Sequence, residues 1–237
     1  KNIQILYNQT IKNIDSKQAY LNTKQKRIEY GLLVNAAGAY VDRVAHWCGV
    51  GHEYVMLPFR GSYYKLSPSS NINVTGLIYT IPNPEMPFLG IHFTRSIDGT
   101  IYIGPSAMPA LGREHYRIFH GIEYIESSRV LLDLARLYKE NKQGFRLHVM
   151  QEVGHLLKKV FTNTAKQIIP KLRTKHLIAS GKVGIRPQLY NKKDNRLEMD
   201  FKVLKGFKSI HILNSISPAF TSAFSFAEWT LQNYVQD

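Results

Sequence analysis

Tyr30-Gly31-Leu32-Leu33-Val34-Asn35-Ala36-Ala37-Gly38-Ala39-Tyr40 decides the fold class of this chain. Leu32 to Val34 form a continuous apolar run, the pattern of a strand covered on both faces. Small residues follow, and a helical pattern then runs from about Tyr40 to Cys48, with Asp42 and Arg43 on its polar side. Strand, small-residue turn and helix make one α/β unit. A second such unit closes the chain: a strand over Ser209 to Leu213, a turn over Asn214 to Pro218, and a helix from about Thr221 to the end. The two units are expected to meet in one sheet across an inserted region.

Working outward, residues 1–30 read as short strands with turns at Asn8-Gln9-Thr10 and Asn22-Thr23-Lys24. Lys1 leads directly into the strand-like Ile3-Gln4-Ile5-Leu6-Tyr7, and a start inside an element is expected of a fragment. Residues 53–105 are rich in strand signals: Val55 to Leu66, Gly76 to Ile81, Leu89 to Arg95, and Ile101 to Pro105 returning from an Asp98-Gly99 hairpin. They predict a largely antiparallel sheet. Residues 114–179 change to helical spacing, with Ile122, Ile125, Val130, Leu131, Leu134, Leu137 and Tyr138 recurring at threes and fours. Arg146 to Phe161 and Asn163 to Leu172 extend that pattern, the second broken at Pro170. Residues 180–204 return to strands, with a hairpin at Lys192-Lys193-Asp194-Asn195. The fold class is therefore α/β (α+β), an α/β frame interrupted by an antiparallel sheet with helices.

Composition suits a folded globular chain of one large or two smaller domains: 237 residues, 44% hydrophobic and 11% aromatic. No apolar run of about 18 residues occurs, so no membrane-spanning helix is expected. Cys48 is the one cysteine, which excludes an internal disulfide and reads as a small buried apolar residue. The net charge is +14. Such a balance suits a nucleic-acid or anionic-lipid partner. The basic residues are nonetheless scattered, at Lys24 to Arg27, Lys158-Lys159, Lys171 to Lys175 and Lys192-Lys193, without a nucleic-acid-binding motif. They read as solvated faces, and no nucleic-acid partner is expected. Glu152 and His155 show the E-x-x-H spacing of some metal sites, but a second pair is missing. A solvated helix face is the expectation there, and no metal.

Six segments in order resemble the D-amino-acid-oxidase-like flavoenzymes, and within them the L-2-hydroxyglutarate oxidase/dehydrogenase family. They are Val34 to Ala45, Pro58 to Tyr64, Pro82 to Arg95, Ile97-Asp98-Gly99 with Ile103-Gly104-Pro105, Gly184 to Gln188, and Asn214 to Ala223. The resemblance implies FAD as cofactor and hydride transfer from a 2-hydroxy acid, L-2-hydroxyglutarate, to the flavin. It implies a partial FAD-binding Rossmann-like domain over 1–50, a substrate-binding domain over 51–205, and the C-terminal strand and helix of the FAD-binding domain over 206–237. Family members begin with a glycine-rich GxGxxG turn that receives the pyrophosphate. This sequence has no such turn, so the resemblance also implies a fragment. A catalytically inactive remnant is the alternative, and a basic nucleic-acid or lipid module the remoter one.

The resemblance assigns roles residue by residue. Arg186, between Gly184 and Pro187, is the expected carboxylate clamp, because a guanidinium meets a carboxylate with two parallel bonds; otherwise it is a surface arginine beside a turn. His92 is the candidate partner for the substrate hydroxyl, or else a structural histidine. Arg60 and Tyr64 share a strand face by parity. That face either lines the substrate pocket, with Arg60 on the distal carboxylate, or holds an ion pair and a packed ring. Ala36, Ala37 and Gly38 allow close approach of the cofactor, and Ser217, Pro218, Ala219, Thr221 and Ser222 seat the flavin ring at a helix start. The same segments serve a tight turn and an ordinary helix cap. The implied electron acceptor is oxygen, a quinone or another carrier. Peripheral membrane association and a cytoplasmic, inner-membrane or, in a eukaryote, mitochondrial setting go with it.

Overall fold

The computed structural model describes residues 3–81, 90–117, 123–217 and 219–235. The chain forms two compact units, residues 1–56, 189–193 and 197–237, and residues 57–188 and 194–196. The expected boundaries at 50/51 and 205/206 differ from these, because Gly51 to Met56 and Leu197 to Lys205 pack with the first unit.

The first unit opens with three antiparallel strands, β1 (Ile11–Asp15), β2 (Tyr20–Thr23) and β3 (Arg27–Glu29). The β1–β2 turn falls at residues 16–19, whereas Asn22 and Thr23, expected in a turn, are paired strand. Next come β4 (Leu33–Asn35) and α1 (Val41–Trp47). Ile14, Leu21, Val44 and Cys48 form one small core, so Cys48 is buried as expected, and burial pushes its thiol pKa up.

The long strand β5 (Tyr54–Leu66) leads into the second unit, where β6 (Leu77–Ile78), β7 (His92–Arg95), β8 (Ile101–Gly104) and β9 (Met108–Pro109) follow. The Asp98-Gly99 turn joins β7 to β8 as the sequence predicts, with Gly99 at φ +83° and Asp98 accepting from Thr100 N–H at 2.9 Å. Three helices come next: α2 (Tyr124–Glu140), α3 (Phe145–His155) and α4 (Lys158–Ala165). The single helix expected over Arg146 to Phe161 is thus two. Leu157 is extended between them, and Gly154 lets Val160 approach where a Cβ would meet it at 3.3 Å. The helix expected over Asn163 to Leu172 stops at Ala165, and Leu172 is fully buried.

Strands β10 (Leu177–Asn191) and β11 (Arg196–Leu197) form the expected hairpin. The sheet order is β11-β10-β5-β8-β7-β6, with β9 paired antiparallel to β5. Its core is Leu66, Val74, Ile91, Phe93, Ile103, Phe161, Ala165, Leu172 and Leu177. Leu89, Ile122 and Pro218 lie outside the described residues.

The chain ends with β12 (Lys202–Gly206), β13 (Ser209–Asn214) and α5 (Ala223–Tyr234), all in the first unit. β4 pairs in parallel with β13, Leu33 with Ser209 and Asn35 with His211, so the two strand-helix pieces do meet in one sheet. Two expectations are corrected here. Val34 is 49% exposed, because β4 is an edge strand whose buried side chain, Asn35, turns to α1. Asp42 is buried: its carboxylate accepts the N–H groups of Arg43 and Met56, both at 2.9 Å, which offsets the cost of desolvating it. The scattered basic runs are exposed as expected, at Lys24 and Lys26, Lys158 and Lys159, Lys171 and Lys175, and Lys192 and Lys193.

Candidate functional site

A cavity of about 210 Å³ lies within the second unit. β5 contributes Phe59, Gly61 and Tyr63, and β7 contributes His92. The strap after β8 contributes Pro105, Ser106 and Ala107, and β10 contributes Gly184, Ile185 and Arg186. His92 and Arg186, 94 positions apart in the sequence, therefore share one wall set. The sheet order brings them together, since β10, β5, β8 and β7 are consecutive neighbours.

Arg186 is partly buried, and that burial lowers its pKa. The group remains a cation, with its five N–H donors in a planar fork. His92 holds its Nδ1 at 3.2 Å from the carbonyl of Gly90. A carbonyl only accepts, so Nδ1 carries a proton, and in the neutral ring Nε2 presents a lone pair. Tyr63 offers a phenol whose pKa burial raises, so it stays a neutral donor at neutral pH.

Arg60 and Tyr64 do not line this cavity. Tyr64 packs its ring on Phe161, centroids 4.9 Å apart, at the edge of the core. Arg60 has the same strand parity, and its Nε is buried without a hydrogen-bond partner among the described residues. The cavity face of β5 is the odd-numbered one. Parity shows which residues share a face but not which face is hollow, so Phe59, Gly61 and Tyr63 were missed.

Gly61 has a steric reason to be glycine. A Cβ there would come within 2.9 Å of the Pro105 Cβ and 3.2 Å of the Ser106 carbonyl. The strap can pass this close only because Gly61 has no side chain.

The flavin-side candidates lie in the first unit. Ala36, Ala37 and Gly38 follow the carboxyl end of β4, and Ser217, Ala219, Thr221 and Ser222 follow that of β13. Because β4 and β13 are parallel neighbours, both turns leave the same edge of the sheet. That edge is where open α/β sheets bind their ligands. Ala36, Ala37 and Gly38 are exposed, with Gly38 at φ +57° and nothing within 4 Å of a Cβ built on it. The Ser222 side chain does not cap α5, and the first turn of α5 has no acidic residue. Small residues beside a positively polarised helix start fit the flat, electron-rich ring that the resemblance implies. Pro218 lies outside the described residues.

Beneath this edge is a polar pair. The Asn35 side-chain amide donates to the Val41 carbonyl at 2.8 Å and to His211 Nδ1 at 2.9 Å. His211 Nδ1 is then the acceptor, and its Nε2 donates to Ser209 Oγ at 2.9 Å. Burial pushes the His211 pKa down to about 4, so the ring is neutral at physiological pH. Asn35 Oδ1 also takes the Ala37 N–H at 3.2 Å, which anchors the small-residue turn.

Among the described residues no group of three or more His, Cys, Asp or Glu is placed to hold a metal. No helix among them is long and apolar enough to cross a membrane.

A family model described as FAD dependent oxidoreductase matches residues 1–232. The L-2-hydroxyglutarate dehydrogenase of Indibacter alkaliphilus is 32% identical over 219 residues, covering 90% of this chain and 54% of that protein. The mitochondrial L-2-hydroxyglutarate dehydrogenase of Mus musculus is 34% identical over 222 residues, covering 88% of this chain and 45% of that protein. The chain spans about half the length of the curated relatives it matches. Among solved structures, the FAD-bound L-alpha-glycerophosphate oxidase of Mycoplasma pneumoniae superposes with a TM-score of 0.59 at 16% identity, over 96% of this chain and 50% of that one. That likeness carries the fold.

Proposed function

Because the chain belongs to the FAD dependent oxidoreductase family, we propose that it carries the substrate cavity, and part of the flavin seat, of an enzyme oxidising L-2-hydroxyglutarate to 2-oxoglutarate. The observation that carries this reading is the presence of His92 and Arg186 on the wall of one cavity. Oxidation of a 2-hydroxy acid needs a grip on its carboxylate and a destination for its hydroxyl proton. Bound FAD would supply the acceptor for the C2 hydride.

Arg186 holds the C1 carboxylate through two parallel N–H bonds, which fixes the orientation of C2. His92 Nε2 takes the hydroxyl proton, its Nδ1–H held by Gly90. Phe59 and Tyr63 keep water from the carbon chain between the two carboxylates. Ala36, Ala37, Gly38, Ser217, Pro218, Ala219, Thr221 and Ser222 would hold the cofactor, and the positive end of α5 would favour its electron-rich ring.

The electron acceptor in this reading is a quinone or another carrier, reached by peripheral docking on an anionic membrane. Exposed Leu147, Met150, Leu156 and Leu157 beside Lys158 and Lys159 support that docking. The setting would be the cytoplasmic face of an inner membrane, or the mitochondrion in a eukaryote.

The test is an anaerobic titration of the FAD-loaded protein with L-2-hydroxyglutarate, followed by flavin absorbance. Bleaching by the L enantiomer, and much less by the D enantiomer, is expected. A flavin-loaded protein that stays oxidised would sink the reading. Co-sedimentation with phosphatidylserine vesicles checks the docking; a Met150→Glu, Leu157→Glu variant should stay in the supernatant.

A further inference from the structure

The Glu152–His155 pair departs from its expected place on a solvated face. Glu152 is 9% exposed, and the His155 side chain is 10% exposed. The helix break after His155 turns this part of α3 inward, towards β9 and α4. Glu152 Oε2 accepts the backbone N–H of Ala107, a residue of the cavity wall. Its Oε1 lies 3.2 Å from His155 Nδ1, and His155 Nε2 lies 3.1 Å from Thr164 Oγ1 on α4. The His155 ring also meets the Phe161 ring edge-on at 5.7 Å. Burial alone would raise the Glu152 pKa. The hydrogen bonds from His155 and Ala107 and the charges of His155 and His148 outweigh it and hold the carboxyl below its usual range.

A buried carboxylate is costly to keep, and an apolar residue of similar size would pack there without that cost. Retaining it makes sense only for what it holds. Ala107 precedes β9, where pairing with β5 begins. Its N–H is held by Glu152 on one side of the strap. On the other side, Gly61 leaves room for Pro105 and Ser106 against β5. The strap is thus clamped between a strand backbone and a helix carboxylate.

We propose that Glu152, oriented by His155, is a positioning residue that clamps the Ser106–Ala107 wall and so sets the width of the cavity lined by Arg186 and His92. The consequence for ligand binding rests on the dicarboxylate reading above; the clamp itself does not.

The test uses the full chain and two readouts, calorimetric binding of 2-oxoglutarate and the amide resonance of Ala107. In the wild type, the Ala107 amide proton should sit downfield and move upfield as acid protonates Glu152. Glu152→Gln keeps an acceptor of the same shape, so it should retain the wall and bind within about threefold of the wild type. Glu152→Ala should move the Ala107 amide upfield and weaken binding roughly tenfold, the cost of a lost charge-assisted bond. An Ala107 amide that ignores both acid and Glu152→Ala would overturn the clamp. So would unchanged 2-oxoglutarate binding in a folded Glu152→Ala protein. If the wild type binds no 2-oxoglutarate, the dicarboxylate reading fails, and the Ala107 amide still decides the clamp. Should Glu152→Ala not fold, the wild-type acid titration of the Ala107 amide decides it instead.

Discussion

The cavity and the flavin-side edge handle their polar groups in opposite ways. In the cavity, two walls have a named support, the Gly90 carbonyl for His92 and the Glu152 carboxylate for Ala107, and Phe93 and Ile103 fill the core of the same sheet. At the edge formed by β4 and β13, support comes from below, through Asn35 and His211, and the outer surface is open. Ala36 to Gly38 are exposed there, as are Phe220 at 94% and Phe224 at 93%. The first region is preorganised by its own packing. The second presents small residues and a helix start, the features on which the proposed cofactor seat rests.

The largest expected effect tests the packed region. Phe93 is fully buried, so Phe93→Ala should cost about 4 kcal/mol of unfolding free energy in urea melts. A loss under about 1 kcal/mol would mean that this sheet is not the rigid part of the comparison. Next, under the proposed function, comes Arg186→Ala, which should lower kcat/KM for L-2-hydroxyglutarate roughly hundredfold by leaving the substrate carboxylate unpaired. Arg186→Lys should recover only part of that, since an ammonium cannot form the parallel pair.

The third effect tests the support beneath the edge. His211 has an ordinary pKa of 6.5 and about 4 in the fold, so the unfolded chain binds more protons between those values. Its contribution is therefore intact above pH 6.5 and is lost as pH falls through that window towards 4. From pH 7 to pH 5 this amounts to about 2 kcal/mol. Melts of wild type and His211→Gln over that range should differ in slope, the variant being flatter; parallel slopes would remove His211 as the cause. The smallest effect sharpens the contrast directly. Phe224→Ala on the open edge should change stability by no more than about 0.5 kcal/mol, against the loss expected for the same substitution at Phe93.

Much of the element order was legible in the sequence. The extended segment of Val55 to Leu66, the Asp98-Gly99 turn, the three-four spacing after Ile125 and the closing strand and helix all appear in the structure. Local patterns suffice for these because each depends on residues a few positions apart. The misses at Asp42, Glu152, Arg60 and Tyr64 each turn on what distant segments pack against the residue. Asp42 and Glu152 read as solvated because carboxylates are expensive to bury, yet each is offset by backbone N–H groups from distant segments, Met56 and Ala107. Arg60 and Tyr64 were placed on the right strand and given a shared face, but the cavity lies on the other face.

By itself, the sequence determined the α/β frame, the antiparallel insertion, and the residue types that a 2-hydroxy acid site requires. Only the tertiary structure decided which of them meet. It put His92 beside the same cavity as Arg186, packed Tyr64 against the edge of the core, and buried Glu152 behind the cavity wall. The reason is that periodicity is a property of one element, whereas hollowness and burial depend on what the rest of the chain packs against it.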